Sequence, residues 1–124
     1  MAATQRVLVV EDDEHFRRFL AIALSLAGFI VQQASDGPAA ISEMERHTPD
    51  AVVLDPMLPG IDGFAVYERA ATAVGGPIPV VIVTGSSLDV SGIDAACVLR
   101  KPVSPNSVVR AVEQCLSSSE PPSA

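Results

Sequence analysis

Basic residues are scarce in this chain: eight Lys and Arg stand against 15 Asp and Glu over 124 residues, a formal net charge of −7. That balance argues against direct nucleic-acid binding, which needs clustered Lys and Arg to meet phosphates. Long hydrophobic runs are missing too. None approaches the roughly 18 apolar residues of a membrane span, so no membrane partner is expected. The opening Met1-Ala2-Ala3-Thr4-Gln5-Arg6 lacks the basic-then-apolar design of a signal peptide. The two cysteines, Cys97 and Cys115, lie in apolar stretches with no CxxC or metal-like spacing. They read as core residues of a protein in a reducing, cytoplasmic setting. No internal repeat is visible. What remains is an apolar fraction of 48% and a length suited to one domain that buries roughly two-thirds of its unfolded surface.

Four short apolar runs each end on polar groups. Val7-Leu8-Val9-Val10 leads into Glu11-Asp12-Asp13, and Ala51-Val52-Val53-Leu54 into Asp55. Val80-Val81-Ile82-Val83 leads into Thr84, and Val98-Leu99-Arg100 into Lys101-Pro102. Apolar runs without alternation suit strands buried on both faces, as in a parallel sheet covered by helices. Ligands bind such sheets where the carboxyl ends of the strands open into loops. The polar residues therefore converge on one edge as carboxylates, a hydroxyl and an ammonium. Crowded carboxylates repel one another and call for a divalent cation. The hydroxyl and lysine beside them suit a transferred phosphoryl group.

Helical patterns separate the strands. Phe16, Leu20, Ala23, Leu24 and Ala27 form an apolar stripe that Gly28 can close. Phe29-Ile30-Val31 begins a second strand, and Pro38 after Asp36-Gly37 opens a helix with Ile41 and Met44 inward. Thr48-Pro49-Asp50 breaks that helix. Asp62 can cap a third one carrying Phe64, Tyr67 and Ala71, ended by Gly75-Gly76-Pro77. Ser104-Pro105 opens a last helix with Val108, Val112, Cys115 and Leu116 on one face. The domain spans 5–117, and the Ser- and Pro-rich end, from Ser117 with 118–124 as its body, reads as a disordered tail or the start of a linker. The expected fold is α/β, a three-layer α/β/α sandwich on five parallel strands.

Taken singly, each polar residue has an ordinary reading as a helix cap, a turn or a strand end. Their joint placement after four separate strands favours a functional edge. With these pieces together the chain resembles the receiver domain of two-component response regulators, of the chemotaxis-regulator type. The resemblance rests on Val7-Leu8-Val9-Val10-Glu11-Asp12-Asp13, on Val53-Leu54-Asp55-Pro56-Met57-Leu58-Pro59-Gly60-Ile61-Asp62-Gly63, on Val81-Ile82-Val83-Thr84-Gly85 and on Leu99-Arg100-Lys101-Pro102. It implies the flavodoxin-like sheet order 2-1-3-4-5 and a cis Lys101-Pro102 bond. It makes Asp55 the phosphoacceptor. Mg²⁺ would be held by Asp12 and Asp55, by Glu11 directly or through water, and by the Met57 backbone carbonyl. Thr84 would hydrogen-bond the phosphoryl group and Lys101 would pair with it. The implied partner is a histidine kinase or histidine phosphotransfer protein, with an output domain or target beyond it. Such a domain is no conventional enzyme; it catalyses its own phosphorylation and dephosphorylation at Asp55.

The residue types fit that chemistry. A carboxylate is a weak nucleophile, which Mg²⁺ can align while spreading the charge of the phosphoryl group. Lys101 supplies a point charge rather than a bidentate fork. Pro56 has no N–H, so main-chain contacts to phosphate fall to Met57 and Gly85, and the small Gly85 leaves room for the donor. Two departures concern output. Val98 stands three positions before the lysine, where the family usually carries Tyr or Phe. The stretch between Thr84 and Lys101 is short, and Ser86 to Ala95 has poor helix propensity, so the fourth helix of the family is expected to be one turn or missing. Two other readings compete: a pseudo-receiver acting purely as an interaction module, and a phosphatase with an aspartyl nucleophile. The intact set Glu11, Asp12, Asp55, Thr84 and Lys101 speaks against the first. Met57 speaks against the second, because such phosphatases carry an acid at that position.

Overall fold

Consecutive residues of the central strands point to opposite faces and find a core on both. In the computed structural model, which describes residues 4–57, 63–85, 95 and 97–118, Val7, Val9, Ala51, Val53, Val81 and Val83 enter one apolar cluster. Their neighbours Leu8, Val10, Val52, Leu54, Val80 and Ile82 enter a second cluster on the other side. Period-2 side-chain geometry with two covered faces is why these segments read as unbroken apolar runs.

The elements run β1 (Arg6–Val10), α1 (Glu14–Leu26), β2 (Ile30–Ala34), α2 (Gly37–Arg46), β3 (Ala51–Leu54), α3 (Gly63–Ala71), β4 (Val80–Thr84), β5 (Cys97–Arg100) and α4 (Pro105–Ser118). All four strand pairings are parallel, and the order is β2-β1-β3-β4-β5. Helices α1 and α4 supply Leu20, Leu24, Val108, Val112, Cys115 and Leu116 to the first cluster. Helices α2 and α3 supply Ala40, Met44, Val66 and Ala70 to the second. This is the expected three-layer α/β/α sandwich.

Local chemistry sets the helix ends. The Asp13 side chain accepts the Phe16 N–H at 3.1 Å and caps α1, and Asp36 does the same for Ala39 at 2.8 Å in α2. At the far end of α1, Gly28 takes φ +103°. Its N–H reaches Ser25 O at 3.0 Å while Phe29 N–H reaches Leu24 O at 3.1 Å. That pair of bonds is the Schellman closure, and its left-handed residue is the position glycine fills at least cost.

Several expectations need correcting. β5 is an edge strand, so its residues alternate between half-buried and exposed, and Val98 keeps 37% of its surface. In α3 the buried face is Gly63, Val66 and Ala70; Phe64 and Tyr67 are only half-buried and Ala71 is exposed. Ala27 at the end of α1 is exposed as well. Helix α4 continues to Ser118, into the stretch read as a tail. The fourth helix expected to be short or absent, the Asp62 cap, and the tail beyond Ser118 lie outside the described residues. No helix among the described residues is long and apolar enough to cross a membrane.

Candidate functional site

Each polar residue that follows a strand is held by one further rung of the ladder. Glu11 N–H donates to Ala34 O at 3.0 Å, Asp55 N–H to Val10 O at 3.0 Å, and Lys101 N–H to Thr84 O at 2.9 Å. Three segments distant in sequence are thereby locked to one edge, at the carboxyl ends of β1, β3 and β5, with Thr84 closing β4. Glu11, Asp55 and Thr84 are buried, while Asp12 is exposed.

The side chains converge. One carboxylate oxygen from each of Glu11, Asp12 and Asp55 lies within 4.8 Å of the others. Lys101 Nζ ion-pairs with Glu11 Oε1 and stands 3.2 Å from Asp55 Oδ2. The other Asp55 oxygen, Oδ1, accepts the Met57 N–H at 2.9 Å. Gly85 is exposed beside Lys101; a Cβ there would meet Lys101 Cδ at 3.4 Å, an ordinary contact. Packing therefore does not require glycine at this position.

Burial sets the electrostatics. Glu11 is 2% exposed, and loss of hydration lifts its carboxyl from 4.5 to about 7, with the neighbouring Asp55 adding to the rise and Lys101 opposing it. Burial works against the Lys101 ammonium, yet its contacts with Glu11 and Asp55 outweigh that loss and hold its pKa above the usual lysine value. One oxygen, Glu11 Oε2, is buried with no hydrogen-bond partner among the described residues. An orphaned carboxylate oxygen beside two further carboxylates is a hard-oxygen donor set of the type that divalent cations take.

The family model of the response regulator receiver domain matches residues 7–113. The chain belongs to that family. It is 40% identical over 93 residues to the response regulator MprA of Mycobacterium sp. (strain KMS), covering 73% of this chain and 40% of that protein. It is 33% identical to the probable transcriptional regulator ycf27 of Porphyridium aerugineum over 95% of this chain and 53% of the relative. The receiver thus spans about two-fifths to one-half of the length of these curated relatives. Among solved structures, the receiver domain protein (CheY-like) of Methanospirillum hungatei JF-1 superposes with a TM-score of 0.84 at 21% identity, covering 94% of this chain and 96% of that one. A putative response regulator of Chloroflexus aurantiacus J-10-fl gives 0.80 at 29% identity, with 93% and 99% covered.

In this receiver the side chains of Glu11, Asp12, Asp55 and Lys101 meet, Met57 reaches Asp55 through its N–H, Gly85 lies beside Lys101, and Thr84 joins them through its carbonyl, which accepts the Lys101 N–H. The Lys101-Pro102 bond is cis. Two features escaped the sequence. The Phe16 ring lies beneath the Lys101 ammonium, 5.0 Å from Nζ to the ring centroid. Arg17 braces the same corner: its guanidinium donates to Glu11 O at 3.1 Å and to Gln33 Oε1 at 3.3 Å. Both sit in the first turn of the helix that follows the acidic motif. That proximity to the carboxyl edge was the available signal, although spacing alone does not say which side chain turns inward.

Proposed function

We propose that this receiver accepts a phosphoryl group on Asp55 from a phosphohistidine donor, in a reaction that needs Mg²⁺. The observation that carries this reading is the Lys101 ammonium shared between the buried carboxylates of Glu11 and Asp55, at an edge where Asp12 opens to solvent. One Asp55 oxygen forms a bond to phosphorus as the phosphorus–nitrogen bond of the donor breaks, and the electron pair returns to the donor imidazole. Lys101 moves its charge onto the phosphoryl oxygens, and Thr84 with the N–H groups of Met57 and Gly85 completes their hydrogen bonds. Glu11, Asp12, Asp55 and the Met57 carbonyl would hold Mg²⁺, whose role when bound is to neutralise the crowded oxygens at the reacting centre. The test is incubation with acetyl phosphate. A mass increase of one phosphoryl group, mapped to the peptide containing Asp55 and lost on adding EDTA, is the expected result. Incorporation that is indifferent to EDTA would overturn the Mg²⁺ requirement. No incorporation from acetyl phosphate or from any phosphohistidine protein would favour an interaction module without switching.

The protonation of Glu11 makes metal binding pH-dependent. With a carboxyl at about 7, the cation must displace a proton at lower pH. Mg²⁺ affinity measured by calorimetry should therefore be about tenfold weaker at pH 6 than at pH 8. The sign for stability is the opposite one. Glu11's folded pKa lies above the ordinary 4.5, so its contribution to stability is complete below pH 4.5 and is lost as pH rises through about 7. Saturating Mg²⁺ should flatten that loss.

The donor protein is expected along α1. Phe19, Ile22 and Leu26 are 61%, 58% and 84% exposed and form a stripe with His15 that starts one turn from Asp12. Arg18 borders it, loosely paired with Glu14 at 3.9 Å. Phe19→Asp should slow transfer from a cognate phosphohistidine protein by about tenfold and leave labelling by acetyl phosphate unchanged. An equal loss with both donors would place the damage at the site rather than at docking.

A further inference from the structure

The Phe16 ring has two neighbours of different kinds. One side packs against the apolar cluster shared by α1 and α4, and its face meets the Lys101 ammonium at 5.0 Å. Its backbone N–H is bonded to the Asp13 side chain at 3.1 Å, so the ring is carried by the same tight segment that bears Glu11 and Asp12. Lys101 is itself 28% exposed in its side chain, and a four-carbon stem leaves an ammonium many positions to visit. Two carboxylates pull it inward, and the electron-rich ring face bounds it on a third side.

We propose that Phe16 is a positioning residue for phosphoryl transfer, its ring holding the Lys101 ammonium at the acceptor carboxylate. This rests on the phosphoacceptor reading above. During transfer the ammonium must follow the charge that passes from the donor to the Asp55-bound phosphoryl group. A ring contact that survives that short movement keeps the ammonium at the reacting centre, where an unrestrained lysine would be recruited from solvent. An apolar residue without a ring at position 16 fills the space against α4 and gives the ammonium nothing. Val98 provides no ring on β5 either, so the aromatic contact to the site comes from α1.

Two variants separate positioning from packing. Phe16→Leu keeps an apolar filler, and Phe16→Tyr keeps the ring. In the unphosphorylated protein, the Lys101 ε-proton resonances should be shifted upfield by the ring in the wild type and in Phe16→Tyr, and should return to ordinary lysine values in Phe16→Leu. With Mg²⁺ and acetyl phosphate, Phe16→Leu should be labelled about threefold to tenfold more slowly, while Phe16→Tyr stays within about twofold of the wild type. Melting curves run alongside should show both variants folded. Equal slowing in both variants, or wild-type labelling of Phe16→Leu, would overturn the positioning role while leaving the acceptor assignment standing. Unmoved Lys101 resonances in Phe16→Leu would overturn the contact itself. A wild type that takes no label would instead overturn the phosphoacceptor reading, and with it any role in transfer.

Discussion

Asp55→Asn is expected to remove phosphoryl incorporation entirely, both from acetyl phosphate and from a phosphohistidine donor, as read by intact mass and peptide mapping. The reason lies in how the three carboxylates differ. Asp55 has separate partners on its two oxygens, Lys101 Nζ at 3.2 Å on Oδ2 and the Met57 N–H at 2.9 Å on Oδ1. A phosphoryl group added there finds a cation and a main-chain donor already in place. Glu11 is more deeply enclosed, with 3% of its side chain exposed against 9% for Asp55. Among the described residues Lys101 ion-pairs with Glu11 and Asp55 and not with Asp12. The amide of the variant can still accept from Met57 and is a poor nucleophile toward phosphorus. Its neutrality also removes one charge from the cluster, which relieves Glu11 and lowers the Glu11 pKa from about 7. The fold should therefore survive while labelling is lost by a factor of about 10³ or more. Retained labelling that maps to Asp12 or Asp13 would move the acceptor to the loop after β1.

The parts of the fold that could be read from the sequence are those where one physical signal acts alone. β1, β3 and β4 are enclosed on both faces, so apolarity and strand character coincide. β5 lies at the sheet edge, where the same kind of run leaves Val98 at 37% exposure; edge position is a property of topology and leaves no local mark. The α3 stripe misleads for another reason. Large apolar side chains draw attention to Phe64 and Tyr67, whereas the helix buries Gly63 against the Pro56 backbone and Ala70 in the second apolar cluster, because small residues permit close approach. The site carboxylates, Thr84 and Lys101 were legible because each closes a strand or stands within two residues of its end, and the ladder geometry carries them all to one edge. Phe16 was not, because its contact with Lys101 joins α1 to the end of β5 across the whole chain. Its place in the α1 stripe accounts for it equally well as a packing residue.

Among the described glycines, Gly63 is the one whose replacement by alanine is expected to be most damaging. The glycine opens α3 and is buried, and a Cβ at that position would stand 2.2 Å from Pro56 O, 2.5 Å from Pro56 Cα and 2.6 Å from Pro56 C. All three atoms belong to the backbone, so no side-chain rotation relieves the clash. Either the start of α3 lifts from the sheet or the chain after Asp55 is pushed aside. Relief by the first route loosens Val66 and Ala70 from the second apolar cluster. Relief by the second displaces Met57 N–H from Asp55 Oδ1 and disturbs the acceptor. Over-packing against rigid backbone should cost about 3 kcal/mol or more, a fall in melting temperature on the order of 10 °C for a domain of this size. The two routes have different consequences. Lifting α3 lowers stability and leaves the labelling rate at low temperature near that of the wild type, whereas a displaced Met57 lowers both. Pro56 is locked by the Asp55 rung to β1 on one side and by its own ring geometry on the other. Movement of α3 is therefore the softer response, and a stability loss with largely preserved labelling is the expected result. A melting temperature within about 2 °C of the wild type, corresponding to well under 1 kcal/mol, would show that Pro56 and Gly63 are not in the close contact seen here.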